Sequence, residues 1–265
     1  MPRVEWTGRN MRYMMCAFPL VGLAIALACA LYLQLLPLLA GFLQKSVSPA
    51  LAALGLLLLP LALTGGIHVD GFMDTCDALG SHADREKKLA IMKDSHTGAF
   101  AVLGCGLYLL VSFVLLQELC RALLQISAAG ALNPAESAPM PLPGFRSLLP
   151  FYALFVQSRL LSAFAVAVFP IDKDSGLVHT FASASDRRLT AVCCFLCFLA
   201  LAVALVLLCR WQGLLVILSA LVCFLCYFVT AKRAFGGITG DTAGCFVCLC
   251  ELFGTAAAVL SFGAF

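Results

Sequence analysis

What this chain of 265 residues has least of is charge: 12% of its residues are Asp, Glu, Lys or Arg, against about 25% in an ordinary soluble domain. With 62% hydrophobic residues and a mean hydropathy of +1.01, that scarcity excludes a soluble globular protein and indicates an integral membrane one. A net charge of +3 is too small to hold a polyanion, so no nucleic-acid partner is expected. Polar stretches long enough to fold separately are also missing, which leaves a single membrane domain over residues 1–265. Arg3, Arg9 and Arg12 precede an apolar run far longer than the roughly 7–15 residues of a signal-peptide core. That run is read as a first span, not a removable leader. Cysteine is plentiful, at 14 residues, but it lies inside apolar runs such as Cys193-Cys194-Phe195-Leu196-Cys197. Zinc knuckles are polar, so these cysteines are read as small apolar space-fillers in a reduced compartment.

A helix needs roughly 20 apolar residues to cross a bilayer. Runs at 14–43, 49–66, 97–119, 147–170, 189–208, 211–230 and 243–264 predict an all-α polytopic membrane protein with about seven transmembrane helices, the second of them short. Alternating the connections places the N-terminus, 67–96, 171–188 and 231–242 on one side. That side carries Arg3, Arg9, Arg12, Arg85, Lys87, Lys88, Lys93, Lys173, Arg187, Arg188, Lys232 and Arg233, twelve of the 17 Lys and Arg. The other side carries Lys45, Arg121, Arg146 and Arg210. The positive-inside rule makes the first side cytoplasmic. The external connection 130–146, rich in Pro and small residues, reads as an irregular loop without a function.

The acids are not spread evenly. No charge occurs from Ser48 to Leu63, yet six of the 14 Asp and Glu fall between Asp70 and Asp94. Within "TGGIHVDGFMDTCDALG", Asp70, Asp74 and Asp77 stand at i, i+4, i+7, which confines them to roughly 60° of a helix. Like charges so placed repel, and more strongly where they are partly desolvated. A divalent cation compensates most directly, unless the acids simply cover a solvated helix end. Hard oxygen ligands favour Mg²⁺, Mn²⁺ or Ca²⁺ over zinc, and Mg²⁺ characteristically binds through one or two carboxylates plus substrate phosphates. His68 is an acid–base candidate or a plain membrane-edge histidine. Gly65, Gly66 and Gly71 permit close backbone approach.

Downstream, in the stretch Arg85 to Phe100, Leu89, Ile91 and Met92 among Arg85, Lys87, Lys88 and Lys93 read as an amphipathic interface helix. Lys93-Asp94-Ser95 follows, where Asp94 is expected to return toward the first acids as a fourth carboxylate, enough for two metals to share ligands. The stretch "KRAFGGITGDTAG", Lys232 to Gly244, is a candidate phosphate cradle on the same side, with backbone N–H groups at a helix start. It is not a P-loop, because Gly-Lys-Ser/Thr is absent. Arg159 and Glu251 fall inside spans, where ionisable groups face a partner or a polar cavity. They are read either as paired with each other or as lining a substrate pocket.

Together the three blocks resemble the cobalamin-5′-phosphate synthase (adenosylcobinamide-GDP ribazoletransferase) family. The resemblance rests on Gly65, Gly66, His68, Asp70, Gly71, Asp74 and Asp77; on Ile91, Met92, Lys93, Asp94, Ser95 and Gly98; and on Gly236, Gly237, Thr239, Gly240 and Asp241. Two positions depart from the pattern: Ala78 replaces a Gly and Cys248 replaces a Glu. The resemblance implies that α-ribazole or its 5′-phosphate attacks adenosylcobinamide-GDP and displaces GMP, late in cobalamin biosynthesis. It implies Mg²⁺ as cofactor, with Mn²⁺ as the substitute, in a bacterial inner membrane with the active site cytoplasmic. On this reading Asp70, Asp74, Asp77 and Asp94 hold the metals, and His68 or a carboxylate takes the hydroxyl proton. Lys93, Ser95, Arg233, Thr239, Gly240 and Asp241 hold substrate phosphates, and Arg159 and Glu251 line a substrate pocket. A homo-oligomer, or association with other corrinoid-pathway enzymes, is compatible with it. The alternatives are a CDP-alcohol-type phosphotransferase, whose Ala-Arg pair is missing here because Ala78 leads to Leu79, and an ion or metal transporter.

Overall fold

A computed structural model describes residues 12–42, 46–131, 145–171 and 185–262. The central parts of the connections 130–146 and 171–188, with the readings made of them, lie outside these residues, as do Arg3, Arg9, Lys45 and Lys173. The described chain is helical: α1 (Met14–Phe42), α2 (Pro49–Thr64), α3 (Ile67–Gly80), α4 (Arg85–Met92), α5 (Ala99–Ala131), α6 (Phe145–Val168), α7 (Arg187–Cys209), α8 (Trp211–Thr230) and α9 (Gly240–Ser261). A π turn, Ala231–Phe235, joins α8 to the loop before α9.

Six of these helices are long and apolar enough to cross a membrane alone, and α2 with α3, bent by 92° at their junction, makes seven if the pair counts as one span. The break has a local cause. Gly65 and Gly66 both take left-handed backbone, φ +64° and +76°, which side-chain-bearing residues rarely adopt. Leu56 of α2 clusters with Leu116 and Leu119 of α5. Phe72 of α3 then stacks on Tyr108 with ring centroids 5.3 Å apart, and Gly80 abuts Phe100. So α2 and α3 both pack along α5. The short second apolar run is α2, and Asp70, Asp74 and Asp77 share the next helix, α3, as their spacing predicts.

Helix α6 is the centre of the bundle, with 83% of its most apolar stretch buried, and α9 follows at 61%; the other spanning helices range from 17% to 28%. Hydrophobic contact does not drive association in lipid, so close packing must. Gly22 of α1 provides it, since a Cβ there would sit 2.1 Å from the Phe155 carbonyl oxygen of α6.

The connections expected on one side do meet at one end. Asp186 N–H donates to the Arg12 carbonyl at 3.3 Å and Ile238 N–H to the Pro170 carbonyl at 2.9 Å. Arg85 packs on Gly236. Amphipathic α4 sits there too, its Leu89, Ile91 and Met92 packed with Ala78 and Phe235.

Candidate active site

At that end the three sequence blocks interlock through their glycines. Gly71 of α3 lies so close to α9 that a Cβ would stand 2.7 Å from Asp241 Cα, and one on Gly244 would stand 3.1 Å from the His68 carbonyl oxygen. Backbone therefore crosses backbone, and Asp241 is brought beside the first acids. The carboxylates of Asp241, Asp70 and Asp77 all repel that of Asp74. Asp70 is exposed, while Asp74, Asp77 and Asp241 are half-buried.

Asp77 has a further task. Its Oδ2 accepts from Gly98 N–H at 2.6 Å and its Oδ1 from Ala101 N–H at 2.9 Å. It thus caps the start of α5 from another helix, answering the unpaired N–H groups of a helix N-terminus. A Cβ on Gly98 would lie 2.6 Å from the same carboxylate, which explains a glycine in the second block.

Asp94 does not return to the acid group. It accepts from His96 N–H at 3.0 Å and contacts His96 Nδ1 at 2.6 Å, and it is not among the carboxylates that act on Asp74. Asp readily bonds backbone two residues on, closing its own turn. The His96 contact holds the Asp94 carboxyl below the usual carboxylate range and lifts the imidazole above its ordinary value. Lys93, Ser95 and Arg233 are exposed at the same end, as is Gly240.

Thr239 does not present a free hydroxyl. It forms a reciprocal capping box with Thr242: its Oγ1 accepts from Thr242 N–H at 3.1 Å, and its own N–H donates to Thr242 Oγ1 at 2.9 Å. The loop is organised to start α9 and to place Asp241 in its first turn.

Deeper in the bundle, Arg159 is 1% exposed. Of the two sequence readings, the structure realises the mutual pair, with Arg159 Nη1 bound to Glu251 Oε1. Ser158 Oγ supports it, accepting from Arg159 at 3.0 Å and donating to Glu251 at 3.1 Å. His68 is within electrostatic reach of Arg159, with its ring edge-on to Phe18 at 6.0 Å between centroids. It occupies the inner end of α3, below the acids.

Sequence reasoning therefore missed the membership of Asp241 in the acid group and the capping role of Asp77. The available signal was the pairing of small residues, Gly71 on one helix and Gly244 on the other, which lets helices approach closely in a membrane. Among the described residues no three His, Cys, Asp or Glu side chains converge closely enough to hold a metal ion by themselves.

A model of the family described as cobalamin-5-phosphate synthase matches residues 1–259. The chain belongs to the cobalamin-5-phosphate synthase family. It is 34% identical over 262 residues to an adenosylcobinamide-GDP ribazoletransferase of Lachnoclostridium phytofermentans, covering 99% of this chain and 89% of the relative. Its identity to the protein of the same name in Desulfitobacterium hafniense is 36% over 240 residues, covering 89% and 81%. The Pseudomonas savastanoi pv. phaseolicola counterpart is 33% identical over 258 residues, covering 95% and 88%. No solved structure matches.

Membership in the cobalamin-5-phosphate synthase family sets aside the CDP-alcohol phosphotransferase and transporter readings. The two departures from the family pattern are both buried. Ala78 is packed against Met92 and Phe235, and Cys248 lies with Phe72 and Cys245. A methyl group fits at 78, and Cys248 also meets the Tyr108 hydroxyl and lies within electrostatic reach of Arg159.

Proposed function

We propose that this protein is an adenosylcobinamide-GDP ribazoletransferase whose reaction occurs over the acid group of α3 and α9. A ribose hydroxyl of α-ribazole or its 5′-phosphate attacks the phosphate attached to cobinamide. The new bond is ribose oxygen to phosphorus. The bond broken is the phosphoanhydride, and GMP departs with the bridging oxygen. The observation that carries this reading is the meeting of Asp70, Asp74 and Asp241 across Gly71.

The donor set suits Mg²⁺ or Mn²⁺. Half-buried, mutually repelling carboxylates are hard oxygen ligands in need of a cation. Mg²⁺ characteristically binds through one or two carboxylates plus substrate phosphates. One or two of Asp70, Asp74 and Asp241, with the substrate phosphates, would hold it, and when bound it would polarise the phosphate and offset charge on the departing GMP. Asp77 positions the start of α5. His68 or an acid-group carboxylate accepts the hydroxyl proton. Lys93, exposed at the rim, pairs with substrate phosphates. The Arg159–Glu251 pair sits next to His68 and anchors the inner end of the site.

The acid end carries most of the Lys and Arg, which supports a cytoplasmic active site in a bacterial inner membrane. The test is to incubate membranes holding the protein with adenosylcobinamide-GDP, α-ribazole phosphate and Mg²⁺, and to follow GMP and corrinoid product by mass spectrometry. Product is expected, and is expected to be lost with EDTA and in Asp74→Asn. No product from folded protein supplied with Mg²⁺ would overturn the function; undiminished product in Asp74→Asn would overturn the site.

A further inference from the structure

A groove of about 640 Å³ runs along α8 and α9 on the opposite side of α3 from its aspartates. Its walls include Ser219, Cys223 and Cys226 of α8, Phe253 of α9, and Thr75 and Leu79 of α3. Exposed Leu218, Val222 and Leu260 on its rim show that it opens toward lipid. Along α8 and into the π turn it extends from Leu215 to Ala231, about 24 Å at 1.5 Å per residue, more than the roughly 15 Å depth of one leaflet's hydrocarbon. The groove ends where charge begins. Lys232 and Arg233, both exposed, directly follow Ala231. Lys232 Nζ lies 5.8 Å from the Phe228 ring centroid, an anchor suited to the membrane interface. Basic α4 docks beside them through Phe235.

An apolar slot of acyl-chain length, capped by cations at the interface, is complementary to an anionic lipid. A second copy fits worse: a twofold axis along the membrane normal would bring the same cations face to face. We infer that the groove seats an anionic glycerophospholipid, its acyl chain along α8 and α9 and its phosphate at Lys232 and Arg233. The lipid then backs the helix that carries Asp74 and Asp77, which makes the bilayer a structural component of the site. This seat does not depend on the transfer reaction proposed above.

The test uses the full chain, purified and equilibrated with equal amounts of phosphatidylglycerol and phosphatidylcholine, with retained lipid counted by native mass spectrometry. Phosphatidylglycerol is expected to be enriched on the wild type. Lys232→Gln and Arg233→Gln are each expected to lower that enrichment about fivefold. Cys226→Phe, which puts bulk into the groove, is expected to reduce retention of both lipids. Ser219→Phe serves the same purpose should Cys226→Phe fail to fold. Equal retention of the two lipids by the wild type would overturn the proposal. Full phosphatidylglycerol retention in a folded groove-filling variant would do the same. A wild-type dimer that Cys226→Phe converts to monomer without loss of lipid would show that protein, not lipid, occupies the groove.

Discussion

Gly71→Ala is the smallest change that should disable this protein. The added Cβ would stand 2.7 Å from Asp241 Cα and 2.9 Å from its carbonyl oxygen, where ordinary contact begins at 3.4 Å. Both obstacles are backbone in the first turn of a long helix, so neither can rotate away. Helices α3 and α9 must part by about 0.7 Å at this point. Overpacking of this kind typically costs about 1–3 kcal/mol. The larger effect falls on the site, because the same crossing sets the separation of Asp70 and Asp74 from Asp241. A misplacement near 1 Å in a catalytic constellation costs on the order of 10²-fold in rate. The assay is GMP release in proteoliposomes beside thermal unfolding, with Gly106→Ala as control, since nothing lies within 4 Å of a Cβ at Gly106. Gly71→Ala is expected to lose roughly 100-fold in turnover with modest loss of stability, and Gly106→Ala to lose nothing. If Gly71→Ala retained turnover within twofold of wild type and melted at the same temperature, the backbone crossing on which the site reading depends would be refuted.

Asp241→Asn is expected to lower turnover as severely as Asp74→Asn, and Asp94→Asn far less, because Asp94 faces His96 and not the acid group; steady-state rates of the three variants decide this. Arg159→Met leaves Glu251 unpaired inside the bundle and should destabilise by about 3–5 kcal/mol, with much of the loss recovered in Arg159→Met/Glu251→Gln, measured by unfolding in detergent. The Asp94–His96 contact should hold only within a pH window. His96 is raised above its ordinary 6.5, so its contribution is complete below pH 6.5 and is lost as pH rises through the raised value. Asp94 is lowered below its ordinary 3.8, so its contribution is present above pH 3.8 and is lost as pH falls through the lowered value. A titration of the His96 ring by NMR should return to the ordinary midpoint in Asp94→Asn, and an unchanged midpoint would show that the contact does not form in solution.

Much of the candidate site was legible because its chemistry is local. The i, i+4, i+7 spacing of Asp70, Asp74 and Asp77 survives as a helix face, and the glycines beside it mark close approach. Asp94 misled because a carboxylate two residues from His96 has a nearer partner than the acids it was expected to join. Asp241 reads from the sequence as part of a phosphate cradle, and nothing within its own loop shows that α9 begins against α3. Nor does the sequence show that the helix after Gly65 and Gly66 turns by 92° and packs between α5 and α9.

By itself the sequence determined the solvent, the number of crossings to within one, the end of the bundle that carries the positive charge, and the family. These follow from composition, run length and short motifs, all of which are properties of neighbours along the chain. Only the tertiary structure decided which carboxylates share a site, because that depends on where two helices some 170 residues apart in sequence cross, Gly71 against Asp241. It also decided that Arg159 and Glu251 pair with each other, since a buried charge takes whichever opposite charge the packing brings within reach.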